Sequence, residues 1–162
     1  MEQYDHISKI SNQLYFGKYP CDEVIKLLKE LEINVIINLT QDIENLPKYD
    51  IDCEIINFPI VDRKTGEFQK TIELIKILSD KIQQNNKIYI HCKGGHGRSG
   101  LITGGLYAYL FNKTYDETID ALKIAHQNRK IMTDRMRYLG SPQTRLQKLQ
   151  LMKLINYFID NK

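Results

Sequence analysis

A chain of 162 residues, 42% hydrophobic and 27% charged, carries enough apolar material for one core, and a single domain over 1–162 is expected. A net charge of +3 from scattered basic residues, with no run of five, excludes a charge-driven nucleic-acid surface, and no basic start leads into an apolar stretch as a secretory leader requires. The longest apolar stretch, Leu101 to Phe111, is too short to span a bilayer, so no membrane insertion is expected; the sparse Cys21, Cys53 and Cys92 suit a reducing cytoplasmic or nuclear compartment rather than a disulfide framework or a structural zinc site.

Leu14-Tyr15-Phe16-Gly17 reads as a short strand stopped by glycine. Val24, Leu27, Leu28 and Leu31 follow helical spacing, with Asp22 placed to cap the start. Asn34 to Leu39 and Cys53 to Ile60 are two β-branched runs of strand length, the second fraying at Pro59. Val61 to Glu67 is a polar loop. Phe68, Ile72, Ile75 and Ile82 mark an amphipathic helix that ends near Asn85-Asn86.

Lys87 to His91 is a strand running straight into Cys92-Lys93-Gly94-Gly95-His96-Gly97-Arg98-Ser99, and the following stretch is apolar on every side, as a buried central helix to Phe111 would be. Thr114 with Glu117 has capping-box spacing and opens a helix to Asn128. Ser141-Pro142 reads as the cap and first position of a last helix reaching Ile159. Strands alternating with helices predict an α/β fold: a central, mostly parallel sheet of four to five strands flanked by helices.

A glycine-rich loop between a strand and a helix is an anion cradle, because its amides converge and the helix N-terminus adds partial positive charge. A cysteine at its head sits in a field that favours the thiolate, whose ordinary pKa is ~8.5. Arg98, six positions on, carries a planar fork that can hold a phosphate through two hydrogen bonds. Ser99 brings a hydroxyl within reach of the sulfur. A nucleotide-binding loop would need glycine at 92 and lysine at 98, and a zinc site built from His91, Cys92 and His96 has too few ligands. The structural alternative is a buried cysteine beside a tight turn.

His91-Cys92-Lys93-Gly94-Gly95-His96-Gly97-Arg98-Ser99-Gly100 resembles the signature loop of the protein tyrosine phosphatase superfamily: histidine, cysteine, five residues, arginine, then serine or threonine. The Leu14-Tyr15-Phe16-Gly17 opening is similar to that of the small dual-specificity branch. The resemblance implies a cysteine nucleophile at Cys92 and a phosphate cradle of Lys93, Gly94, Gly95, His96, Gly97, Arg98 and Ser99. It also implies a supporting His91 and a general acid on an upstream loop. It implies no metal and no cofactor, and a phosphorylated protein as substrate.

Asp62, just past Phe58-Pro59-Ile60, is the candidate acid; the plainer reading is a turn aspartate paired with Arg63, and Asp52 and Asp134 are the fallbacks. Gln143, expected in the first turn of the last helix, resembles a water-orienting glutamine of larger tyrosine phosphatases, or is simply an exposed helix-start residue. Cys53 is a core residue or, less simply, a disulfide partner for oxidised Cys92. Arg129, Lys130, Arg135 and Arg137 form a solvated basic loop, or flank the site for acidic substrates.

Lys93 and His96 also resemble the more basic loops of phosphoinositide-directed members, so an inositide phosphatase is the alternative activity. A catalytically silent phosphate-binding module is the third reading, although a binder needs no nucleophile.

Overall fold

The runs Val35–Asn38 and Ile88–His91 are β-branched or aromatic at nearly every position, the pattern of strands covered on both faces. In the computed structural model, which describes residues 2–162, they form the centre of a five-stranded sheet. The strands are β1 (Ile7–Ser11), β2 (Leu14–Gly17), β3 (Val35–Asn38), β4 (Glu54–Asn57) and β5 (Ile88–His91), in the order β1-β2-β5-β3-β4. Only β1 is antiparallel to its neighbour; β2, β5, β3 and β4 run parallel.

Alternation along the strands divides the core in two. Leu14, Phe16, Val35, Ile37, Ile88 and Ile90 face one layer, formed by α2 (Phe68–Gln83), α3 (Arg98–Phe111), α4 (Tyr115–Gln127) and α6 (Arg145–Asp160). Tyr15, Ile36 and Tyr89 face the other, where α1 (Asp22–Glu30) contributes Val24 and Leu28. Helix α3 is the hub of the thicker layer. At Gly104 a Cβ would lie 2.8 Å from a Leu122 methyl, so the missing side chain lets α4 pack closely. No helix among the described residues is long and apolar enough to cross a membrane.

Four sequence expectations shift. Asp22 is not the cap of α1: Cys21 is, without a side-chain hydrogen bond, and Asp22 sits in the first turn, where its charge complements the helix dipole. The second β-branched run is regular strand only over Glu54–Asn57, at the sheet edge; past it the Phe58 and Ile60 amides still donate to the Asn38 and Leu39 carbonyls, on either side of Pro59, which has no N–H. The last helix starts at Arg145, capped by Thr144 in a reciprocal box with Gln147; the Ser141 hydroxyl is committed to the His96 carbonyl instead, and the Ser141–Pro142 peptide is cis. Strand β1 and the short α5 (Asp134–Leu139) lack a clear apolar period and were not anticipated.

The register fixes where chemistry can occur. Gly17 and Asn38 both pair with His91, so β2, β3 and β5 end together, and the chain leaving each strand meets at one sheet edge. Ligands of parallel sheets bind outside the carboxyl ends of the strands.

Candidate active site

The loop from Cys92 to Gly97 links β5 to α3 at that edge. Cys92 is 3% exposed; the Gly95 amide donates to its Sγ at 3.3 Å, and the Ser99 Oγ lies 3.4 Å from it. Gly95 has φ +81°, and a Cβ there would overlap the backbone of Gly17, so the position accepts glycine alone.

The loop is shaped from outside. The Cys92 carbonyl accepts from the His91 Nδ1 at 3.2 Å, Lys93 from the Tyr19 amide at 3.0 Å, Gly95 from the Arg129 Nη2 at 2.6 Å and His96 from the Ser141 hydroxyl at 2.5 Å. In a trans peptide the C=O of one residue and the N–H of the next point opposite ways. Fixing these four carbonyls outward therefore turns the amides of Lys93, Gly94, His96 and Gly97 inward, around the sulfur. Gly97 caps α3 without a side chain, so the first-turn amides of that helix face the same space. The result is a ring of donors that suits a tetrahedral oxyanion.

Arg98 is 1% exposed and closes the ring. Its Nη1 and Nη2 donate to the two Glu44 carboxylate oxygens at 2.8 and 2.9 Å, and Nη1 also donates to the Ile60 carbonyl at 2.9 Å. Its Nε is buried without a partner. Burial disfavours the guanidinium charge, but Glu44, with Cys92 and Asp62 nearby, outweighs it and holds Arg98 above its ordinary pKa. The same pairing holds Glu44 below the usual carboxylate range.

Glu44 ends a 3-10 turn over Asp42–Glu44 and also accepts from the Gln41 amide at 2.7 Å. No local pattern marks it, since the partner lies 54 residues away.

Asp62 extends over the same face: its Oδ1 is 3.4 Å from the Arg98 Nη2, and its side chain is 62% exposed. The loop carrying it is tied to α6. Thr144 donates to the Arg63 carbonyl, Gln147 to Lys64 and Gln150 to Gly66. Asp52 precedes β4, at the other end of the sheet, and Asp134 opens α5. Gln143 lies before α6 rather than in its first turn; its Nε2 donates to the Met136 Sδ, and its Oε1 would be 3.2 Å from a Cβ on Gly97. Gln147 reaches the same glycine, and its Oε1 also accepts from the Gln143 and Thr144 amides.

The histidines stand behind the loop. His91 is buried and its pKa is pushed down to about 4 by burial, so it is neutral at pH 7. With Nδ1 donating to the Cys92 carbonyl, its Nε2 accepts from the Tyr49 hydroxyl at 2.9 Å. The His96 ring does not enter the cradle. Its Nδ1 lies 2.8 Å from the His126 Nε2, and burial pushes the two to about 4 and about 3. His96 thus offers the ring its amide and no charge, and Lys93 is the loop's only lysine.

The basic segment is solvated only in part: Lys130 and Arg135 are exposed, Arg137 is half-buried and Arg129 is buried. Arg129 is 2% exposed beneath the cradle, and Arg137 donates to the Gln127 and Arg129 carbonyls. Cys53 lies before β4 and Cys92 after β5, at opposite ends of two parallel strands that flank β3. A strand of four residues separates their levels by ~13 Å, beyond disulfide reach. Beside the cradle, sharing Lys93, Gly94 and His96 with it, is a cleft of about 920 Å³ that Lys18, Lys29 and Lys48 also line, together with Asp22 and Asp50.

An α/β sheet with a cysteine inside a ring of backbone amides, backed by an arginine, is an arrangement suited to holding a phosphate group. The sequence model of the dual specificity phosphatase catalytic domain matches residues 14–142, and the chain belongs to this family. It is 33% identical over 142 residues to a protein of Invertebrate iridescent virus 6 named as a tyrosine phosphatase, with 79% of this chain and 51% of that protein aligned. To the dual specificity protein phosphatase of Vaccinia virus (strain Copenhagen) it is 28% identical over 113 residues, 69% of this chain and 63% of that one. The chain therefore spans between half and two thirds of these curated relatives. The crystal structure of Tk-PTP in the active form has the same fold, with a TM-score of 0.75 at 21% identity, over 93% of this chain and 97% of that one.

Proposed function

We propose that the chain is a protein phosphatase that hydrolyses phosphotyrosine, and phosphoserine or phosphothreonine, through a phosphocysteine at Cys92. The observation that carries this reading is the Cys92 sulfur lying inside the ring of amides, with the buried Arg98 Nε free of any protein acceptor. In the first step the sulfur attacks phosphorus in line with the ester oxygen. The P–O bond breaks, and the departing oxygen takes the proton of the Asp62 carboxylic acid. The amides and Arg98 hold the three equatorial oxygens as charge redistributes among them.

In the second step water attacks the phosphocysteine. The Asp62 carboxylate takes the water's proton, the S–P bond breaks, and the Ser99 hydroxyl, 3.4 Å from the sulfur, steadies the departing thiolate. Gln143, beside Gly97, orients that water. His91 holds the Cys92 carbonyl outward. No metal takes part. A loop with one lysine and a neutral, averted His96 ring favours a phosphoprotein over a polyphosphoinositide substrate. The lysine-lined cleft beside it receives an anionic stretch flanking the phosphorylated residue.

The deciding experiment is turnover of phosphotyrosine, phosphoserine/threonine and phosphoinositide substrates in excess EDTA by the wild type and Cys92→Ser. Phosphopeptide hydrolysis by the wild type, with none by Cys92→Ser despite retained phosphate binding, is expected. Residual turnover by Cys92→Ser refutes the covalent route, and preferential inositide turnover refutes the substrate.

A further inference from the structure

Arg129 lies at 2% exposure with no carboxylate paired to it among the described residues. Burying a guanidinium without a counter-charge costs several kcal/mol unless its donors are well used. Its Nε donates to the Ser8 Oγ at 2.7 Å, and its Nη2 donates to the Gly95 carbonyl at 2.6 Å and, more loosely, to that of Phe16 at 3.4 Å. The guanidinium lies 5.1 Å from the Phe16 ring centre, and its Nη1 is 3.5 Å from the His96 Nδ1. A packing role alone would be served by a long apolar side chain, with no charge to bury. What the arginine adds is a rigid fork spanning β1, β2 and the loop.

The contact with Gly95 is the consequential one. A glycine in the left-handed region moves to other backbone angles at little steric cost, so the peptide between Gly95 and His96 is the one most easily turned. Turned over, it would aim a carbonyl oxygen at the bound oxyanion in place of the His96 amide. We infer that Arg129 is a positioning residue of the phosphatase reaction: by holding the Gly95 carbonyl outward from beneath the loop, it keeps the His96 amide in the oxyanion ring. This rests on the phosphatase reading of the cradle. It assigns a role to a residue outside the signature loop that contacts neither the nucleophile nor the acid.

The test measures kcat and KM for p-nitrophenyl phosphate, the inhibition constant of orthovanadate, and thermal unfolding, for the wild type, Arg129→Met, Arg129→Lys and Arg129→Ala. Loss of one oxyanion donor lowers kcat by roughly 10²-fold, and that is the expected fall for Arg129→Met, with vanadate inhibition weakened in parallel and KM little changed. Added guanidinium ion should restore part of the activity of Arg129→Ala. A purely structural role would instead lower the unfolding temperature and leave vanadate affinity unchanged in the folded protein.

Folded Arg129→Met with wild-type kcat and vanadate affinity overturns the inference. Should it not fold, Arg129→Lys, which keeps the charge and a single donor, carries the test: a loss of about 10-fold is expected, and wild-type vanadate affinity overturns the inference equally. A wild type that neither turns over the substrate nor binds vanadate would count against the phosphatase reading itself.

Discussion

Replacing Glu44 by glutamine probes what aligns Arg98. The carboxylate accepts two parallel bonds from the guanidinium at 2.8 and 2.9 Å, and one oxygen also accepts from the Gln41 amide. An amide keeps one acceptor but turns an NH2 toward a donor, so at least one charge-assisted bond is lost. Such bonds contribute about 1.5–3 kcal/mol each. The guanidinium, 1% exposed, also loses its closest counter-charge.

Arg98 would retain the Ile60 carbonyl on Nη1, so it stays in place but is no longer held at both ends of its fork. We expect Glu44→Gln to lower stability by about 3 kcal/mol, the low end of the range for breaking a buried pair on one side. We expect kcat/KM for p-nitrophenyl phosphate to fall roughly 10- to 100-fold, equivalent to about 1.4–2.7 kcal/mol of transition-state stabilisation. Urea unfolding and steady-state kinetics on the same preparation separate the two effects. Unchanged kcat/KM in the folded variant would mean that the Ile60 carbonyl suffices, with that of Leu39, 3.4 Å from Nη1. Tighter vanadate binding would mean that Glu44 competes with the oxyanion. Either result refutes the reasoning.

Three further outcomes follow from the site. Asp62→Asn should slow release of a high-pKa leaving group such as phenol by about 10²-fold and of p-nitrophenol much less; equal losses would transfer the acid role elsewhere. Burial holds His91, His96 and His126 at about 4, about 4 and about 3, below the ordinary 6.5, so the unfolded chain binds protons that the folded one does not. Stability should then rise with pH between about 4 and 6.5 and fall by about 2 kcal/mol per histidine from pH 7 to pH 5. Urea unfolding at the two pH values checks this, and an undiminished drop in His126→Gln would refute its share. Lys48→Glu, remote from the reacting atoms, should raise KM for acidic phosphopeptides several-fold and leave p-nitrophenyl phosphate turnover intact; a parallel change in both would refute a flanking subsite.

The part of the site that is local in the chain was legible. Cys92, Arg98 and Ser99 lie within eight residues, between an apolar strand and an apolar helix, so a single stretch of sequence brings them together. Asp62 was legible by position, because a loop leaving a parallel strand at its carboxyl end faces the same edge as the loop after β5. Glu44, Tyr19, Ser141 and Arg129 were not. Each acts across 34 or more residues and sits in a loop or at a helix end without a period.

Arg129 was misleading as well. Beside Lys130, Arg135 and Arg137 it reads as one charge among several, and only the fold distinguishes the buried member from the exposed ones. Gln147 had a usable signal: Thr144 and Gln147 have capping-box spacing, which Ser141-Pro142, three residues earlier, obscured.

This division has a physical origin. Three glycines in the loop make the cradle accessible to the backbone, and for the same reason they leave it without a conformation of its own. Its shape comes from the anchors: a β2-end amide, a histidine on β5, an arginine just past α4 and a serine before α6, each taking one carbonyl. None of them need touch the substrate, yet each sets the direction of an amide that would. A substitution at an anchor should therefore act on oxyanion binding with the nucleophile intact, whereas one at Cys92 should abolish turnover with the cradle intact. The two kinds of variant differ in vanadate affinity even where their loss of activity is similar. The anchors come from four segments of the chain, so the cradle forms only when the sheet and its helices have packed.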